Sequence, residues 1–144
     1  PCSWPQVSRI HPFVPVEQTQ GFGRLIKELE SYLAEITGYD RVCLTPNSGA
    51  QGEYAGLRAI TGYLASKGEM AGMSVQPVKN MRNGAIDLGH LKEQLSRFQH
   101  QVGAIMITYP STYGVFDEDI METCELVHKT GGQVYLDGAN MNAQ

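Results

Sequence analysis

Apolar residues recur along this chain with two periods. Phe22, Leu25, Ile26, Leu29, Leu33 and Ile36 share one face at helical spacing. They predict a helix starting near Gly21 or Phe22, with Gly38 supplying a left-handed C-terminal cap. Leu88, Leu91 and Leu95 repeat the pattern behind Asp87, which suits an N-cap, so a second helix is expected to run to about Phe98. A small-residue helix is expected from about Ala50 to Ala65, closed by Gly68. Asp117, Glu118 and Asp119 would load the first turn of another helix, where negative charge meets the dipole favourably; it should end near Thr130, ahead of Gly131-Gly132. Strand signals fall at Val42 to Thr45, Val75 to Val78, Val102 to Thr108 and Gln133 to Leu136. The run VGAIMIT (102–108) is almost continuously apolar, as in a strand covered on both faces. Arg82-Asn83-Gly84-Ala85 reads as a turn and Tyr109 to Phe116 as a loop. Residues 1–20 hold Pro1, Pro5, Pro12 and Pro15 without a helical period, and should run extended.

Alternating strands and helices imply an α/β fold with a mostly parallel sheet and ligands at the carboxyl ends of its strands. The expected division is an extended segment over 1–20 and a partial α/β domain over 21–144. A chain of 144 residues can bury a sizeable core. Its net charge of −4, with basic and acidic residues interspersed, offers no stripe for a nucleic-acid backbone. No apolar run is long enough to span a membrane. Cys2, Cys43 and Cys124 have no metal-ligand spacing and read as thiols in a reducing compartment. The start without Met, at Pro1-Cys2, and the end at Asn142-Ala143-Gln144 read as those of a fragment or trimmed product.

Two segments behind strands carry chemistry. In Pro46-Asn47-Ser48-Gly49-Ala50-Gln51, a strand, a tight turn and a helix start converge, so free backbone N–H groups and the positive helix end meet at one point. Ser48 adds a hydroxyl, and Gly49 and Ala50 allow close approach of a phosphate. The same pattern also serves as a plain capped turn, and it is not a P-loop, because no Gly-Lys-Ser/Thr follows. In Asp137-Gly138-Ala139-Asn140 a carboxylate follows an apolar strand. It could ligate a metal, cap a helix, accept from a ribose, or pair with a protonated ring nitrogen. Tyr109-Pro110-Ser111-Thr112-Tyr113-Gly114 opens on the same edge and could offer hydroxyls to a substrate or simply form a loop.

Taken together, LTPNSGAQGEYAGLRAI (44–60), AIMITYPSTYGVFDEDI (104–120) and GGQVYLDGANMNAQ (131–144) resemble the pyridoxal-phosphate-dependent glycine decarboxylases, the P-protein family of the glycine cleavage system. IHPFVPVEQTQGF (10–22) and ITGYDRVC (36–43) are similar to the same family, so the resemblance covers essentially the whole chain, as part of the family's C-terminal half. It implies an incomplete large domain of the aminotransferase-like fold (fold type I) and pyridoxal 5'-phosphate as cofactor. It implies that Ser48, Gly49, Ala50 and Gln51 hold the cofactor phosphate, that Asp137 pairs with the pyridine nitrogen, and that Ala139 lies against the ring. Asn47 and Thr112 would face the substrate side. No metal is implied. The implied reaction decarboxylates glycine, in glycine catabolism, and passes the aminomethyl group to the lipoyl arm of H-protein. The family works as dimer-like pairs, in the mitochondrial matrix of eukaryotes or the cytoplasm of bacteria.

Two departures from the family pattern stand out. The family's Schiff-base Lys falls beyond the equivalent of Gln144, and none of Lys27, Lys67, Lys79, Lys92 and Lys129 takes its place. The family also carries an extra stretch, with a His that stacks on the cofactor, where Lys67-Gly68-Glu69 here runs into Met70-Ala71-Gly72-Met73. His11, His90, His100 and His128 do not match that position; His90 and His128 are expected on helix surfaces. The isolated chain is therefore expected to be inactive. A truncated non-catalytic isoform is the alternative reading, and a nucleotide-binding module using the Asn47 to Gln51 turn is a third that lacks a glycine-rich fingerprint.

Overall fold

A computed structural model describes residues 3–11, 13–66 and 73–141. The chain forms two compact units, residues 1–47 and 48–144.

In the first unit the proline-rich segment is not extended throughout. Pro5–Ser8 forms one helical turn (α1), with proline at the N-terminal position that needs no amide, and Val16–Gln18 forms a 3-10 turn. Helix α2 spans Gln20–Thr37 and ends on Gly38 at φ 74°, the expected left-handed cap, whose amide donates to the Ala34 carbonyl. Its apolar stripe stays open: Leu25 is 60% and Ile36 79% exposed. Val42 to Thr45 does not become a strand. A strand needs a ladder partner, and the Leu44 amide instead donates to Glu30 Oε1 at 3.2 Å. The exposed Cys43 thiol titrates below its ordinary range, because Thr45 hydrogen-bonds to it through side chain and backbone.

The second unit starts with α3, Gly49–Ser66, close to the expected small-residue helix; Gly68 and the junction at 67–72 lie outside the described residues. Val75 to Val78 is the second expected strand that does not form, and Val75 stands exposed with no partner strand among the described residues. One antiparallel bridge, Asn80 to Ile86, closes the turn that Gly84 makes at φ 86°. Helix α4, Leu88–Phe98, starts as predicted, with Asp87 accepting the His90 amide at 3.0 Å. His90 is half-buried rather than on the surface, because its Nδ1 accepts the Lys79 amide at 3.1 Å.

Strand β1, Ala104–Thr108, is followed by α5, Ile120–Lys129, and β2, Gln133–Asp137. The strands pair in parallel, Ala104 opposite Gln133 through Thr108 opposite Asp137. Parallel neighbours cannot be joined by a hairpin, and α5 makes the crossover. Leu91, Leu95 and Val127 are buried between the helices and one face of this sheet, with Ile105 and Val134 packed against them. β1 is buried on that face only: Ile107 is enclosed, while Met106, pointing the other way, is 48% exposed. Helix α5 begins three residues later than the acidic run suggested. Asp117 sits before it, buried, accepting the amides of Ile86 at 2.7 Å and Asp119 at 3.0 Å, so it braces backbone rather than loading the first turn. No helix among the described residues is long and apolar enough to cross a membrane.

Candidate functional site

The parallel register brings Thr108 and Asp137 side by side at the carboxyl end of the sheet, on the same face. The Thr108 hydroxyl donates to Asp137 Oδ2 at 3.0 Å, and the Ala139 amide donates to Oδ1 at 3.0 Å. The backbone continues the pairing one residue further, with the Tyr109 amide donating to the Asp137 carbonyl at 2.9 Å. Asn140 Nδ2 then donates to the Pro110 carbonyl at 3.1 Å, tying the loop after β1 to the turn after β2. The Asp137 carboxylate is thus half-buried and held from both sides.

Tyr135 lies two residues before Asp137, on the same face, and its ring packs directly against Gly56 of α3. Burial pushes the Tyr135 hydroxyl above its ordinary pKa, and the negative charges of Glu53 and Asp137 push it further. Glu53 belongs to the second turn of α3, so charges from this helix and from the end of β2 both act on one tyrosine.

At the start of α3, Ser48 Oγ accepts the Gln51 amide at 3.3 Å and the Ser48 carbonyl accepts the Gly52 amide at 2.9 Å. This is the N-cap arrangement a helix start needs. It leaves the Gly49 and Ala50 amides without an acceptor among the described residues. A Cβ placed on Gly49 or Gly52 would meet nothing within 4 Å. An anion therefore has donors and space here, and the residues present fit a phosphate group.

The structure brings Ser48, Gly49, Ala50 and Gln51 onto the helix that covers the Asp137 face, and it joins Asp137 to Ala139 by a hydrogen bond. Thr112 is exposed and makes no hydrogen bond among the described residues. Asn47 ends the first compact unit. No group of His, Cys, Asp and Glu among the described residues could hold a metal ion. Sequence reasoning included Asn140 in the candidate segment without giving it a role, and missed Thr108 and Glu53. Thr108 closes an apolar run, but only the register with β2 shows what it faces.

No family model matches the chain. Across its whole length it is 53% identical to "Glycine dehydrogenase (decarboxylating), mitochondrial" of Gallus gallus, 52% to the Homo sapiens protein of that name, and 48% to "Glycine dehydrogenase (decarboxylating)" of Klebsiella pneumoniae (strain 342). The chain spans only 16–17% of the length of these curated relatives. The matched span is 165 residues long against 144 in the chain, a difference of 21, which agrees with an extra stretch in the relatives. Identity at this level over every residue, in animal and bacterial relatives alike, makes the chain a segment belonging to the glycine dehydrogenase (decarboxylating) family.

Proposed function

We propose that this segment is part of the pyridoxal-phosphate-binding domain, of fold type I, in an enzyme that decarboxylates glycine. The observation that carries the reading is the placement of Asp137: its carboxylate is fixed at the carboxyl end of the sheet, on the face covered by α3, whose first amides are open to an anion. The family similarity supports the choice of cofactor.

When bound, pyridoxal 5'-phosphate supplies a positively charged ring that accepts the electrons released as glycine loses CO2. The work of this chain is to hold that group. The Ser48 hydroxyl and the Gly49 and Ala50 amides donate to the phosphate, and Gln51 closes the turn through its own amide. The Asp137 carboxylate accepts the ring N–H and keeps the nitrogen protonated. Ala139, small and exposed, leaves room for the flat ring. Asn47 and Thr112 serve the substrate side. None of Lys27, Lys67, Lys79, Lys92 and Lys129 is assigned the covalent attachment of the cofactor. The aminomethyl product passes to the lipoyl arm of H-protein, in a homodimeric enzyme of the mitochondrial matrix or, in a bacterium, of the cytoplasm.

The test uses a full-length chain carrying this segment. Asp137→Asn should weaken cofactor binding and lower glycine–bicarbonate exchange roughly 10- to 100-fold, the worth of a hydrogen bond to a charged group. Ser48→Ala should weaken binding by less. Wild-type affinity and exchange in Asp137→Asn would refute the assignment. The isolated 144-residue chain should show no exchange, and detecting it would overturn that expectation.

A further inference from the structure

A carboxylate on a single Cβ turns freely, because its terminal torsion has broad wells. Asp137 does not have that freedom. One oxygen receives the Thr108 hydroxyl at 3.0 Å and the other the Ala139 amide at 3.0 Å, one donor from each side of the group. An ionised carboxylate offers about four lone-pair positions, so each oxygen keeps one for a further donor. We propose that Thr108 is a positioning residue for the cofactor: its hydroxyl sets the plane of the carboxylate that receives the pyridine N–H. This rests on the reading of Asp137 given above.

Strand pairing does not need the hydroxyl. The backbone already joins these positions, with the Tyr109 amide donating to the Asp137 carbonyl at 2.9 Å, and the ladder runs in register from Ala104 to Thr108. The hydroxyl is directed at a carboxylate, so it donates to an acceptor that carries charge. Threonine suits the task because its branched Cβ restricts χ1 and aims the oxygen in advance. Valine would keep that shape and remove only the donor.

The experiment compares Thr108→Val, Thr108→Ala, Thr108→Ser and Asp137→Asn in a full-length chain carrying this segment. The readouts are the dissociation constant of pyridoxal 5'-phosphate and the visible circular dichroism of the bound cofactor, which reports how its ring is held; thermal melting controls for folding. Thr108→Val should weaken binding about three- to tenfold, less than Asp137→Asn because it loosens the acceptor without removing it, and change the dichroic band. Thr108→Ser should restore most of both. If Thr108→Val does not fold, Thr108→Ala against Thr108→Ser makes the same comparison. Wild-type affinity and dichroism in the valine and alanine variants, with Asp137→Asn impaired, would overturn the role of Thr108 and leave the reading of Asp137 intact. Failure of serine to restore either readout would also overturn it, by assigning the effect to packing. Unchanged binding in Asp137→Asn would remove the reading of the site and this inference with it.

Discussion

Gly56 and Tyr135 compete for one space: a Cβ on Gly56 would overlap Cε2 and Cδ2 of the Tyr135 ring. The helix that starts at the Ser48-Gly49 turn packs on the middle of β2 at this point, where residue 56 has no side chain to meet the Tyr135 ring. Gly56→Ala should therefore destabilise the fold by about 1–3 kcal/mol, as overpacking does. The better helix propensity of alanine, worth about 1 kcal/mol, offsets part of this. Denaturation midpoints give the check, and a second background isolates the cause. With Tyr135→Ala in place, Gly56→Ala should become neutral or stabilising; equal losses in both backgrounds would show that the ring is not the obstacle.

The same tyrosine gives a pH dependence. Burial, then Glu53, then Asp137 hold the Tyr135 proton more tightly in the folded state, so its pKa lies above the ordinary value. A raised folded pKa gives stability that is complete below the unfolded value, near 10, and is lost as pH rises through the folded one. Tyrosinate absorbance against pH should show one group titrating late, and Tyr135→Phe should remove it. Glu53→Gln should bring that titration to lower pH. A titration that does not move would mean that the Glu53 charge does not act on Tyr135.

Helices were legible in the sequence because their signals are local. Gly38 ends α2 where the apolar period stops, and Asp87 caps α4 through an amide three residues on. Strands were legible only where a partner exists. VGAIMIT and Gln133 to Leu136 pair with each other, whereas Val42 to Thr45 and Val75 to Val78 have strand-like side chains and no ladder. The same limit governs the site. Asp137 could be placed at a strand end from its own neighbours, but its alternatives stayed open. Thr108 lies 29 residues away and becomes its partner only through the register. The stripe on α2 shows the converse case: the period gives the helix correctly, yet Leu25 and Ile36 remain exposed, because a period specifies a face and not what covers it.

Thr123 sits on the buried side of α5 with no exposed surface, and its hydroxyl has no hydrogen-bond partner among the described residues. An enclosed hydroxyl without a partner loses its water bonds and gains nothing in return. Thr123→Val keeps the shape and removes the polar atom, and should stabilise the fold by about 1 kcal/mol. A higher denaturation midpoint with an unchanged slope is the expected result. A lower midpoint would mean that the hydroxyl has a partner in solution.

Asp117 offers the sharpest test of how the loop after β1 is anchored. It is 7% exposed, and its two carboxylate oxygens serve two different segments: Oδ2 accepts the Ile86 amide at 2.7 Å and Oδ1 the Asp119 amide at 3.0 Å. One side chain therefore ties the bridge before α4 to the approach to α5. Asp117→Ala leaves the half-buried Ile86 amide without its acceptor, while the Asp119 amide, on an exposed residue, can turn to water. The change should therefore cost about 1–3 kcal/mol, the worth of one buried group left unpaired. Asp117→Asn retains one acceptor oxygen but turns an amino group towards the other amide, so it should lose about half as much. Amide exchange at Ile86 and Asp119 separates the two contacts: both should accelerate in the alanine variant and only one in the asparagine variant. Equal stability of the asparagine variant and the wild type would show that a single acceptor is enough to hold the junction.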